Sequence, residues 1–316
     1  MTSPPTTKTS PPSAPSGLLV VDKSEGPTSH DVVAVARRAL GTKAVGHTGT
    51  LDPMATGVLL LAIGEGTKLV SMLGGESKVY RTTIRFGVET HTLDAQGEVV
   101  AEAMVPPLDV AKVAGALQAF LGQQSQVPPK VSAIKQDGQS AHARARRGED
   151  FDLDARSVRL DNVEVHGVTQ HEADITLRCG KGFYVRSLAR DLAYALGTFA
   201  HLTQLRRLEN AGFRADDGVS FEALLRAAKV EPALREGIRA RILPLSAACQ
   251  RLPHVRIAEE GVIHLRHGRP WDVPAALRNI AADGAELIAL DEAGVPRAIV
   301  RVDGGRFRVQ RGLNAD

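Results

Sequence analysis

Short apolar runs, separated by polar clusters, mark out the elements of this chain. Leu18-Leu19-Val20-Val21, between Gly17 and Asp22, predicts a strand entering the core. Gly26-Pro27-Thr28-Ser29 turns the chain and caps a helix. Val32, Val35, Ala36 and Ala39 recur there at helical spacing, Gly41 ends the helix, and Arg37 and Arg38 sit where its dipole favours cations. From Gly46 to Gly57 neither period is present, which predicts a loop. It is held between the helix and a continuous apolar run, Val58 to Ile63, that predicts a buried strand. Val79 to Phe86 alternates as a strand. Asp109 caps a helix with Val110, Val113, Ala114, Leu117 and Phe120 on one side.

Residues 123–156 are polar and basic, with Pro128-Pro129 near their start, and predict an extended insertion that is at most partly helical. Strands are expected at 157–165 and 172–178, then a turn at Gly180-Lys181-Gly182. A helix from Tyr184 presents Val185, Leu188, Ala189, Leu192 and Leu196, closed by Gly197. Ser220 caps a short helix over 221–229. Beyond 250 the pattern changes to short strands at 286–290, 295–302 and 306–310, with Asp303-Gly304-Gly305 as a hairpin turn. The mixture predicts an α+β fold, not a doubly wound sheet, with a small β domain over 250–313 after a larger domain over 17–245. Residues 1–16 hold five Pro and eight Ser or Thr and predict a disordered tail.

Composition narrows the function. A length of 316 residues allows about two domains, and 43% hydrophobic with 24% charged residues is ordinary for a soluble globular protein. Two cysteines, Cys179 and Cys249, exclude a disulfide scaffold and a four-cysteine zinc site and fit a reducing cytoplasm. His264 and His267, with His254 and Cys249 nearby, are a weak metal pattern, so no metal is expected. No apolar run approaches the roughly 18 residues of a membrane span, and neither a signal peptide nor a phosphate-loop or dinucleotide fingerprint is present, so no nucleotide cofactor is implied. The net charge is only +3, but Arg outnumbers Lys 29 to 10. Two stretches concentrate it: 178–207 has six basic residues against Asp191, and 297–311 has five Arg against Asp303. Such patches suit a polyanion, or are ordinary solvated faces.

Asp52 precedes Pro53 in the aperiodic loop, with glycines at 46, 49 and 57. It is either a turn Asp bonding its own backbone or a carboxylate placed to trap C1′ of a ribose while its base leaves and returns. Asp22 or Asp94 could fold in as a second acid. Tyr80 could stack on a base or simply pack in its strand. Arg186, beside Tyr184 at the mouth of a helix, could pair with a buried carboxylate or stay solvated.

These blocks together resemble the bacterial tRNA pseudouridine synthase B family. The resemblance is carried by Gly17-Leu18-Leu19-Val20-Val21-Asp22-Lys23 through Ser29, Gly46-His47-Thr48-Gly49-Thr50-Leu51-Asp52-Pro53, Lys78-Val79-Tyr80-Arg81, Pro128 to Lys135, Arg178 to Leu188, and Leu205 to Leu208. It is strong over 17–213 and weak beyond. It implies a catalytic domain around a mixed, mostly antiparallel sheet, an RNA-gripping insertion and a PUA-like C-terminal domain. It also implies isomerisation of uridine 55 in the T loop of tRNA, without metal, cofactor or partner protein, by a cytoplasmic monomer. By this resemblance Asp52 is the catalytic aspartate, His47 stacks on the opened T loop, Tyr80 stacks on the target base, Tyr184 lines the pocket, Arg186 pairs with Asp52, Leu205 forms an apolar wall and Lys23 supports the site. The basic patches place Lys181, Arg190, Arg206, Arg207, Arg306 and Arg308 as candidates for the T-arm backbone. His91, Leu93 and Val131 depart from the family's usual residues, at positions expected to lie outside the core chemistry. A non-catalytic tRNA-binding protein, an RNA N-glycosidase and a guide-directed pseudouridine synthase are the alternatives; the combination of Asp52, Tyr80 and Arg186 argues against simple binding.

Overall fold

The run at 18–21 lies in strand β1 (Gly17–Lys23), which pairs antiparallel along its whole length with β3 (Thr56–Ile63). Both strands are apolar without alternation because both faces are covered. Leu19, Val21, Leu59 and Leu61 pack to one side, and Leu18, Val20, Val58 and Leu60 to the other. The structure, a computed structural model, describes residues 15–132, 134–136, 139–141, 144, 147, 149, 151–229 and 232–314. Most of the expected tail therefore lies outside the described residues, as does part of the predicted insertion.

Around this pair lie β2 (Val45–His47), β4 (Lys78–Phe86), β7 (Gly122–Gln126), β10 (Arg156–Val168), β11 (Glu172–Cys179), β12 (Ala200–Asn210), β13 (Phe213–Arg214) and β14 (Val219–Ser220). Among the described residues they form one sheet in the order β14-β1-β3-β12-β4-β11-β10-β7, with β2 on β3 and β13 on β12. Only β1–β14 and β3–β12 are parallel pairs, so the sheet is mixed and mostly antiparallel. Two small hairpins, β5 (Val88–Thr90) with β6 (Val99–Glu102) and β8 (Lys135–Gln136) with β9 (Gln139–Ser140), stand off it.

Helices α1 (Ser29–Leu40), α2 (Val70–Gly75), α3 (Val110–Gln118), α4 (Val185–Ala195), α5 (Phe221–Lys229) and α6 (Pro232–Ala240) follow in chain order. Apolar stripes of α1, α3, α4, α5 and α6 share one core with Tyr80, Ile84 and Phe86 of β4. Thr28 caps α1 in a capping box with Asp31, and Gly41 closes it at φ +69°. The C-terminal part contains α7 (Leu245–Cys249), β15 (His254–Arg256), α8 (Glu259–Arg266), β16 (Trp271–Asp272), β17 (Glu286–Leu290), β18 (Pro296–Asp303) and β19 (Arg306–Gly312). Its strands make a five-stranded sheet in the order β15-β17-β18-β19-β16.

Three features differ from expectation. The central strand β12 is unforeseen, because two register shifts against β4 and the charged pair Arg206-Arg207 break its alternation. The start of the predicted insertion, through Gln126, is instead strand β7 on the sheet edge. The 46–57 loop gives up both ends to strands, Gly46 and His47 to β2 and Thr56 and Gly57 to β3. Leu245, Ala248 and Cys249 lie in one core with Leu18, Val20, Ile288, Leu290, Ile299 and Leu313, joining the two sheets.

Candidate active site

The loop from Thr48 to Ala55 lacks regular structure, so side chains from other elements must fix it. In the first turn of α1 the Ser29 hydroxyl accepts from the Leu51 N–H at 2.9 Å and donates to the Leu51 carbonyl at 3.1 Å. Lys23, fully buried at the end of β1, donates to the carbonyls of Ser24, Pro53 and Ala55, the last at 2.6 Å. Burial brings its pKa down to about 8, against the opposing pull of Asp52. Arg207 of β12 donates to the carbonyls of Val58 at 2.6 Å, Gly49 at 3.1 Å and Thr50 at 3.4 Å. Gly57 lets β12 come this close. Its φ is +97°, and a Cβ there would lie 2.2 Å from the Arg207 carbonyl oxygen.

Asp52, so held, meets Arg186 in the first turn of α4. The guanidinium reaches both carboxylate oxygens, Nε to Oδ2 at 2.9 Å and Nη2 to Oδ1 at 3.0 Å, a two-pronged charge-assisted pair. Arg186 is 4% exposed and also donates to the carbonyls of Thr92 at 2.7 Å and Val131 at 3.1 Å, with Asp94 Oδ2 at 3.6 Å. Of the two acids that could have folded in, Asp94 does so, while Asp22 pairs with Arg206. Burial pushes the Asp52 carboxyl above the ordinary carboxylate range; Arg186 opposes this most, Asp94 adds to it and Lys23 opposes it weakly.

The pair opens into a cavity of about 410 Å³ whose wall includes Tyr80, Tyr184 and Leu205. Tyr80 is 8% exposed, and its hydroxyl oxygen accepts from Arg207 Nη1 at 3.4 Å. Burial raises its pKa, and Arg207 works against that rise. Burial likewise raises the pKa of Tyr184. The Tyr184 backbone exchanges hydrogen bonds with the Gln126 side chain, tying α4 to the end of β7. His47 and Lys23 do not line the cavity. His47 ends β2, its ring edge-on to His30 with centroids 5.4 Å apart, and burial lowers its pKa.

The candidate backbone contacts divide. Lys181 lies on the cavity wall in an exposed turn. Arg190 is bound to Asp191 and to the Val127 carbonyl, and Arg206 forks onto Asp22 at 2.9 and 3.0 Å. Arg306 and Arg308 are exposed and paired with Asp272 and Asp303. Arg207 is a correction. At 1% exposure, with its donors on backbone carbonyls and Tyr80, it faces the interior and cannot grip an RNA backbone on the surface.

Lys78, part of the Lys78-Val79-Tyr80-Arg81 block, has no role of its own among the expected site residues. It lines the cavity two residues before Tyr80, on the same face of β4, and burial lowers its pKa to about 8. The period of the strand was the signal that could have found it. Two of the departing positions lie nearer the chemistry than expected. The Val131 carbonyl binds Arg186, and the turn holding Thr92 against Arg186 passes through Leu93 at φ +62°. Among the described residues no group of three or more metal-ligating side chains occurs, and no helix is long and apolar enough to cross a membrane.

Comparison with known proteins gives consistent matches. Residues 37–185 match the family model described as TruB family pseudouridylate synthase (N terminal domain), and residues 186–250 match tRNA pseudouridylate synthase B C-terminal domain. A protein named tRNA pseudouridine synthase B from Paracoccus denitrificans is 41% identical over 298 residues, covering 94% of this chain and 96% of that protein. One of the same name from an Arthrobacter species is 42% identical, covering 88% and 94%. Among solved structures, a Cbf5-Nop10-Gar1 complex contains a chain of similar fold, with TM-score 0.69 and 23% identity over 95% of this chain and 84% of that one.

Proposed function

In a chain that belongs to the TruB family of pseudouridylate synthases, and so makes pseudouridine at position 55 of tRNA, we propose that Asp52 is the group that acts on the ribose. The observation that carries this reading is the Asp52–Arg186 fork opening into a cavity walled by Tyr80 and Leu205. A carboxylate here can attack C1′, or take the 2′ proton to give a glycal; both free the uracil to turn and rebond through C5. Arg186 positions Asp52 and keeps it ionised against the cost of burial.

The remaining roles follow from place. The target base must leave its stack, at a cost of a few kcal/mol, and Tyr80, Tyr184 and Leu205 receive it. His47, on the β2 side of the catalytic loop, occupies the space the base vacates. Lys23 acts only through the loop carbonyls it binds. Lys181, Arg190 and Arg206 meet phosphates around the cavity, and Arg306 and Arg308 extend the grip from a PUA-like C-terminal domain. The shape of the T arm, more than a base code, selects the substrate. The enzyme works as a monomer in the cytoplasm, with no partner protein, metal or organic cofactor; the isomerisation is redox-neutral and has no need of a redox cofactor.

The test is incubation with a full-length tRNA transcript, followed by carbodiimide mapping of pseudouridine. The reading expects one modified position, 55, and none with Asp52→Asn. Pseudouridine formed by the Asp52→Asn variant at the wild-type rate contradicts the role given to Asp52.

A further inference from the structure

The cavity wall carries more positive charge than the Asp52–Arg186 pair needs. Lys78, Lys181, Arg186 and Arg207 line it against the single carboxylate of Asp52. Arg186 is matched by Asp52, and Lys181 sits in an exposed turn where a phosphate can reach it. Arg207 and Lys78 are buried, at 1% and 8% exposure. Arg207 donates to the carbonyls of Gly49, Thr50 and Val58 and to the Tyr80 hydroxyl; Lys78 donates to the carbonyls of Gly74 and Glu76. Among the described residues no carboxylate pairs with either cation. Taking unmatched cations out of water is expensive, so an anion that arrives only during the reaction gives them a use.

The chemistry makes such an anion. When C1′–N1 breaks, its electron pair stays on N1, and the uracil leaves with negative charge spread over N1, O2 and O4. C1′ is meanwhile captured by Asp52 as an ester, or Asp52 takes the 2′ proton to leave a glycal. An electron pair at C5 then forms the new bond to C1′ as the ester C1′–O bond breaks, or as Asp52 returns the proton to C2′; C5 gives up its own proton and N1 takes one, so no net charge remains. We propose that Arg207, acting through the Tyr80 hydroxyl, and Lys78, on the same wall, stabilise the detached uracil anion between cleavage of C1′–N1 and formation of C1′–C5.

Placement favours the base over the backbone as the target of these charges. A flipped base enters deepest while its phosphates stay at the mouth. The Arg207 guanidinium carbon lies 6.0 Å from the centroid of the Tyr80 ring. Fixed cations in a site closed to water act most strongly on charge that exists only on the reaction path. The inference rests on reading this cavity as the place where the flipped uridine reacts.

The experiment measures single-turnover loss of the target nucleoside from a T-arm RNA carrying either uridine or 5-fluorouridine at position 55. Fluorine makes the N1 anion intrinsically more stable, so its departure needs less help. Lys78→Met and Arg207→Gln are expected to slow the uridine substrate about a hundredfold and the 5-fluorouridine substrate less than about tenfold, with RNA affinity unchanged. Lys78→Arg should restore the uridine rate to within a few fold. Equal slowing of both substrates overturns the proposal. So does a loss of RNA affinity with a shallower salt dependence, which marks a phosphate contact instead. If Arg207→Gln does not fold, Lys78→Met decides alone. Asp52→Asn runs in parallel: conversion by that variant refutes the site itself, whereas an inactive Asp52→Asn with equal slowing in Lys78→Met refutes only the anion role.

Discussion

At the scale of residues, opposing influences on one carboxyl define the site. Burial favours the neutral form of Asp52, and the Arg186 fork favours the carboxylate. Arg186→Gln removes the cation that holds the proton off, so the Asp52 pKa rises further. The acid limb of the pH–rate profile should then move to higher pH and kcat should fall about a hundredfold or more, as a carboxylate no longer held in place loses its aim, while tRNA affinity changes little. Lys78 gives a stability prediction of defined sign. Its pKa is about 8 in the fold against 10.5 when free. Between those values the unfolded chain holds a proton the folded chain has lost, so this group makes stability rise with pH across that window. Lys78→Met should lower the slope of unfolding free energy against pH by about 1 kcal/mol per unit there, read from urea titrations. Asp52, Tyr80 and Arg186 were legible in the sequence because each sits in a distinctive block. The role of Arg207 is hidden in the sequence because adjacent Arg206 and Arg207 read as one basic patch. In a strand neighbours point opposite ways, and only one of the two can face water.

At the scale of elements, the catalytic loop is an irregular segment held by regular ones. α1, β1 and β12 each supply one buried polar side chain to it, Ser29, Lys23 and Arg207. Ser29→Ala keeps the helix, whose cap is Thr28, but leaves both polar groups of the Leu51 backbone without the Ser29 hydroxyl. It should cost about 1–3 kcal/mol of stability and lower kcat more than it raises KM, measured by thermal denaturation and steady-state kinetics. The apolar runs of β1 and β3 and the capped helices α1, α3 and α4 could be read from the chain because burial and period agree there. β12 could not, since its bulges break the period at the place where it carries Leu205 and Arg207 into the site.

At the scale of the whole molecule, the C-terminal sheet has a core of its own, with Val255, Leu265, Val300 and Phe307, and shares a second core with the main sheet. Leu290→Ala opens a cavity in the core that Leu290 shares with Leu18, Val20 and Ile299. The expected cost is about 2–5 kcal/mol, and calorimetry should show one transition moving to lower temperature. A separate C-terminal transition moving alone would show that the shared core is not cooperative. The surface is less basic than its arginine count suggests, because Arg206, Arg306 and Arg308 already carry carboxylate partners; RNA must displace or share them. The central claim, that Asp52 breaks and remakes the glycosidic bond of a tRNA uridine in this cavity, is tested most directly with a transcript tritiated at uridine C5. Wild type should release tritium from one uridine per tRNA with no metal or cofactor added, and Asp52→Asn should bind the transcript as tightly and release none. Tight binding by wild type without tritium release, or equal release by both proteins, contradicts it.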